Sequence, residues 1–173
     1  MNHYTLFPII KRLEENSIVY SLGGSGLLYY LNLIDSINDW DITVECPKDK
    51  LIETLEGYDW VEQRSGDYPF ASQYRLSIAS LNIDFIGCFA LHTENGVLNL
   101  PINHNRKWDG INISSPEVWY VAYYLMNRKP KASMLLNYLK TSTEKVNTTL
   151  INDLIKTNIL NNELSQELSL LIR

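Results

Sequence analysis

The stretch SIVYSLGGSGLLYYLNLIDSINDWDITVEC, residues 17–46, limits the fold more than any other part of the chain. SIVYSL has the β-branched and aromatic content of a short buried strand, Gly23 and Gly24 stop it, and GLLYYLNLI is apolar enough for a packed helix. DWDITVEC then alternates with a period of two, as a strand with unlike faces does. Strand, glycine turn, helix and strand in succession predict an α/β (α+β) fold built on a small mixed sheet with flanking helices.

One face of that second strand is unusual for a sheet. Alternation sends Asp39, Asp41, Thr43 and Glu45 to one side and Trp40, Ile42, Val44 and Cys46 to the other. Aspartate is depleted in strands, and like charges on one face repel. Carboxylates at i and i+2 stand about 7 Å apart, near enough to share a divalent cation. A hydrated, half-exposed strand face is the alternative reading of the pair. Asp84 adds a third acid among Leu81, Ile83, Phe85, Ile86 and Phe89, where an ionised carboxylate needs a partner. That partner is a metal shared with Asp39 and Asp41, Arg75 across a hairpin, or water at a hydrated sheet edge. Glu45 lies about 13 Å along the strand from Asp41 and reads as a structural surface acid.

The remaining elements are set by periodicity and breakers. MNHYTLFPIIKRLEENS is a first helix, with His3 at its frayed start. KDKLIETLEG is a helix introduced by Pro47 and closed by Gly57, and DWVEQR is a third short strand. SQYRLSIA and NIDFIGCF are joined closely enough to be antiparallel neighbours. VLNLP and INIS are short strands in a turn-rich segment that also holds His92 and His104. From Ser115, a cap followed by Pro116, the period becomes helical. SPEVWYVAYYLMNR, MLLNYLK, VNTTLINDLIKT and ELSQELSLLI form helices, with KPKAS and TSTE as breaks. The expected division is residues 1–115 as the α/β part and 116–173 as a helical region packed on it. Trp119, Tyr120, Tyr123 and Tyr124 form a stripe at helical spacing, read as core or as a surface for stacking on a flat ligand.

In order and approximate spacing, LGGSG, NDWDITVECPKDKLIETLEGYDW and YRLSIASLNIDFIG resemble the nucleotidyltransferase superfamily with the DNA polymerase beta-type palm. Within it, the layout of residues 17–90 is similar to the small lincosamide and aminoglycoside nucleotidyltransferases. The helix, basic turn and helix of SPEVWYVAYYLMNRKPKASMLLNYL also resemble the region after the palm in many members. The resemblance implies that Asp39, Asp41 and Asp84 bind Mg²⁺ and carry the catalysis, Asp84 completing the metal site or taking a proton from the acceptor. It implies that Gly23, Gly24 and Ser25 hold the triphosphate of ATP or another nucleoside triphosphate. Ser25 also stands where it could cap the following helix. Arg75 is either a phosphate contact or an ion-pair residue, with Lys129 and Lys131 as further basic candidates. Leu22 and Asn38 stand where antibiotic-modifying members often carry acidic or charged residues, a difference that bears on the acceptor.

A net charge of −5 disfavours a nucleic-acid surface, which needs clustered lysine and arginine. The two cysteines, Cys46 and Cys88, have no disulfide or zinc spacing and read as small buried hydrophobes. The N-terminus lacks a signal-peptide core, and the longest apolar run is too short to span a bilayer, so a cytoplasmic location is expected. The activity implied is Mg²⁺-dependent transfer of a nucleoside monophosphate to a hydroxyl of a small acceptor, such as an antibiotic, by a monomer or a homodimer. The alternative is a palm-fold regulatory or antitoxin-like binding protein with weak or no catalysis.

Overall fold

A computed structural model describes residues 2–104, 106–142 and 146–173. A 3-10 turn (His3–Leu6) leads into α1 (Phe7–Glu15), whose Ile9, Ile10 and Leu13 are buried on one face. His3 is held rather than frayed: its ring stacks on Trp108 at 4.0 Å and its Nε2 lies 2.8 Å from Asp109. The strand, turn, helix and strand read from the sequence are β1 (Val19–Leu22), α2 (Gly24–Tyr30) and β2 (Trp40–Glu45). After them come α3 (Lys48–Thr54), β3 (Val61–Gln63), β4 (Tyr74–Ile78) and β5 (Ile83–Gly87). β6 (Ala90–Thr93) and β7 (Gly96–Asn99) pair as a separate hairpin, and β8 (Arg106–Trp108) and β9 (Ile111–Ile113) return to the main sheet.

The main sheet is mixed, with strand order β3-β4-β5-β2-β1-β9-β8. β4 and β5 are antiparallel neighbours, whereas β2 runs parallel to β5 and β1 parallel to β9. The central strands are rich in Ile, Val, Leu and aromatic residues because helices cover them; Leu22, Trp40, Ile42, Val44 and Phe85 are fully buried. Thr43, which alternation put on a polar face, is buried and pairs through its hydroxyl with Ser21 at 2.8 Å. β6 and β8 were not legible in the sequence. Each is four residues or fewer, and its pairing is supplied by a partner strand rather than by its own pattern.

The chain after Ser115 forms α4 (Pro116–Leu125), α5 (Lys129–Thr141), α6 (Thr148–Lys156) and α7 (Asn162–Leu171). The Ser115 hydroxyl accepts the Val118 amide, as a cap does. α4 is buried from Pro116 through Tyr123, as a helix apolar on all sides must be. KPKAS does not break the chain. It forms the first turn of α5, where Pro130 is tolerated because the first amides of a helix have no partner to lose. The break lies just before, at Asn127, in the left-handed conformation that asparagine tolerates. TSTE falls partly outside the described residues.

A buried acid ties this region together. Glu117, 2% exposed, accepts the Ser115 hydroxyl through one oxygen and the Asn147 amide, at 2.7 Å, through the other. Asn147 in turn caps α6. No helix among the described residues is long and apolar enough to cross a membrane.

Candidate functional site

The sheet register brings the acids together. β2 and β5 run parallel with Asp41 opposite Asp84, so two carboxylates 43 positions apart in the chain become lateral neighbours on one face. Asp39 lies two residues before Asp41 and shares that face. One carboxylate oxygen from each of Asp39, Asp41 and Asp84 lies within 4.8 Å of the others, and all three residues are partly buried.

The glycine turn closes one side. The Gly23 amide donates to the Asp41 carbonyl at 2.8 Å, binding the end of β1 to β2 beneath the acids. Gly24 has φ +54°, and a Cβ there would stand 1.7 Å from Asp41 Oδ2, so glycine is required both by conformation and by space. A Cβ on Gly23 would meet the Trp119 indole at 2.1 Å. Ser25 does not cap α2, whose N-cap is Gly23. Its hydroxyl instead donates to the Asp39 carbonyl at 2.7 Å and approaches Asp39 Oδ1 at 3.1 Å. The capping expectation fails because Ser25 is already inside the helix, where its side chain turns toward the neighbouring loop. Ser25 therefore orients an acid.

Electrostatics marks the cluster as unfavourable without a counter-charge. Burial, then the charges of Asp39 and Asp84, push the Asp41 pKa up to about 6, while Arg128 and Lys131 pull it down. Asp84 is also raised by burial, with Arg75 opposing and Asp39 reinforcing the shift. Arg75 lies with its guanidinium 4.9 Å over the Phe70 ring, and its buried Nε has no hydrogen-bond partner. Lys131 sits over the Tyr123 ring at 5.3 Å. Arg128, a basic residue that the sequence pattern did not single out, belongs to this surround; its signal was the run NRKPK directly after an aromatic helix.

Other sequence candidates lie elsewhere. Glu45 accepts the Ile102 amide at 3.2 Å, a structural role. Cys46 is buried and Cys88 partly so, both as free thiols. Neither His92 nor His104 belongs to the acid cluster. Lys129 lines a cavity of about 400 Å³ with Tyr120, Tyr124, Glu163 and Glu167, and a second cavity of about 420 Å³ lies against α6; neither includes an acid of the cluster.

This architecture is similar to that of a candidate nucleotidyltransferase from Thermotoga maritima, with a TM-score of 0.53 and 19% identity over 79% of this chain and 91% of that one. The fold is nucleotidyltransferase-like. Two structures of ANT(2'')-Ia align more loosely. The crystal structure in complex with adenylyl-2''-tobramycin has a TM-score of 0.48 and 13% identity, covering 98% of this chain and 97% of that one. The solution structure of this antibiotic-resistance factor has a TM-score of 0.46 and 14% identity, covering 98% and 88%. Of the three, the Thermotoga protein is close enough to define the fold of this chain. No family model and no curated protein sequence matches it.

Proposed function

We propose that the chain is a magnesium-dependent nucleotidyltransferase that moves a nucleoside monophosphate from a nucleoside triphosphate to a hydroxyl of a small acceptor. The observation that carries this reading is the meeting of Asp39, Asp41 and Asp84, with oxygens within 4.8 Å, against the Gly23–Gly24 turn of a nucleotidyltransferase-like fold. Three hard oxygen donors suit magnesium, and the raised pKa of Asp41 reflects first its burial and then repulsion from Asp39 and Asp84, a cost that a cation would relieve. These three acids would hold the ion, which when bound supplies charge neutralisation and a template for the polyphosphate.

The chain's own residues do the rest. Gly24 leaves room for the Asp41 carboxylate, which fills the place a side chain there would take, and Ser25 fixes the carboxylate of Asp39. Arg128 and Lys131, whose charges reach Asp41, offer the cationic side on which phosphate oxygens rest. Arg75 serves Asp84 by charge and is a further phosphate contact. The acceptor hydroxyl attacks the α-phosphorus; a new P–O bond forms, the bond to the bridging oxygen breaks, and pyrophosphate leaves. Asp84 is the carboxylate that takes the hydroxyl proton. Rate enhancement comes from alignment and from charge neutralised in advance. The resemblance of residues 17–90 to the small antibiotic nucleotidyltransferases makes hydroxyl-rich antibiotics the first acceptors to assay.

The test is calorimetric titration of the full chain with each nucleoside triphosphate in the presence of Mg²⁺, then pyrophosphate release across a panel of aminoglycosides, lincosamides and sugars. Magnesium-dependent nucleotide binding lost in Asp41→Asn is the expected result. A folded protein that binds none of the four nucleotides refutes the proposal. Binding without turnover of any acceptor would favour a regulatory binding protein.

A further inference from the structure

Trp119 and Tyr123 lie one helical turn apart on α4, with ring centroids 5.4 Å apart, and both are buried, at 2% and 0% exposure. The indole Nε1–H can only donate, and the phenol O–H donates readily. Neither group has a hydrogen-bond partner among the described residues. Leaving a buried polar group unpaired is destabilising, and such groups are rare in folded proteins. Two on one helix face need a cause.

The other tyrosines of α4 supply the contrast. Tyr120 donates to Glu167 and Tyr124 to Glu163, at 2.8 Å for the latter, where the helix faces α7. The helix thus satisfies its hydroxyls on that side and leaves donors unsatisfied on the side of the acids. The Trp119 edge lies where a Gly23 side chain would be, with Nε1 at 2.1 Å from that position. The charges that act on the Tyr123 hydroxyl are those of Asp41, Arg128 and Asp39. Part of its cover is Lys131, a flexible and only partly buried side chain whose ammonium lies 5.3 Å from the ring centre.

We propose that Tyr123 and Trp119 are polyphosphate-binding residues, donating hydrogen bonds to phosphate oxygens of the nucleotide between the glycine turn and the Arg128–Lys131 pair. The proposal rests on the nucleotidyltransferase reading. Lys131 moves from the ring onto the incoming phosphate, and the hydroxyl beneath becomes available. Because the phosphates are common to all nucleotides, the contact is blind to the base.

Tyr123→Phe and Trp119→Phe delete the two donors while keeping an aromatic ring. Calorimetry with Mg²⁺ and each of ATP, GTP, CTP and UTP, together with melting of the ligand-free chain, tests the assignment. The expected result is affinity weaker by about tenfold in either variant, equally for the four nucleotides, the size of one lost hydrogen bond to a charged group. The ligand-free melting temperature of Tyr123→Phe stays level or rises, because an unpaired buried hydroxyl has been removed. Wild-type affinity in the variants, a loss confined to one base, or a fall in the melting temperature of Tyr123→Phe overturns the assignment and leaves the proposed activity standing. Failure of the unaltered chain to bind any nucleotide is a different outcome, which removes the activity and this assignment with it.

Discussion

Gly24→Ala is the most direct perturbation of the site, because the methyl group it adds has a known place to go. Gly24 has φ +54°, a conformation that costs an L-residue about 1 kcal/mol. The new Cβ would stand 1.7 Å from Asp41 Oδ2, 2.5 Å from its Cγ and 2.7 Å from its Cβ. Contacts between carbon atoms settle near 3.5–4.0 Å, so one partner must yield. Turning Asp41 off its rotamer costs about 1 kcal/mol. Opening the turn instead gives up the Gly23 amide bond to the Asp41 carbonyl, about 1 kcal/mol. The variant should therefore lose about 2–3 kcal/mol of stability, and a displaced carboxylate should lower the proposed nucleotidyl transfer by about a hundredfold. Gly57→Ala is the internal control: its φ is +84° but no atom lies within 4 Å of the added methyl, so it should cost about 1 kcal/mol and leave activity intact. Urea melts give the stabilities, and pyrophosphate release gives the rate. If Gly24→Ala behaves like Gly57→Ala in both assays, Asp41 is not pressed against the turn and the proposed site geometry is wrong.

Asp41 should make the ligand-free chain pH-sensitive. Its folded pKa of about 6 exceeds the unfolded value of 3.8, so the unfolded state loses its proton first and stability falls as pH rises between them, by about 2–3 kcal/mol. Denaturant melts from pH 4 to pH 7 should show that fall in the ligand-free protein and a flatter profile in Asp41→Asn. Ser25→Ala removes the hydroxyl that holds Asp39 and should cost about 1 kcal/mol of stability, with a weaker Mg²⁺ affinity in calorimetry that Ser25→Thr restores in part. Glu117→Ala should leave the partly buried Asn147 amide and the buried Ser115 hydroxyl without their acceptor and lower stability by about 2–3 kcal/mol, a loss read from urea melts.

What the chain order alone determined was local: each element whose own residues supply its reason was legible. The glycine turn at Gly23 and Gly24, the strand that carries Asp41 and Glu45, and the Ser115 cap ahead of Pro116 are all decided within a few residues. Even the three aspartates could be singled out, because each is expensive where its neighbours put it. The tertiary structure alone decided whom they meet. The parallel register of β2 and β5 sets Asp41 beside Asp84, a matter of strand pairing across distant segments that no local pattern encodes. It also turned Ser25 from an expected cap into a hydrogen-bond donor to Asp39, and it brought Arg128 within reach of Asp41 from a segment far along the chain. The physical reason is range: propensity and capping act over one turn, whereas charge, packing and ladder hydrogen bonds act through space and exist only once the sheet has closed.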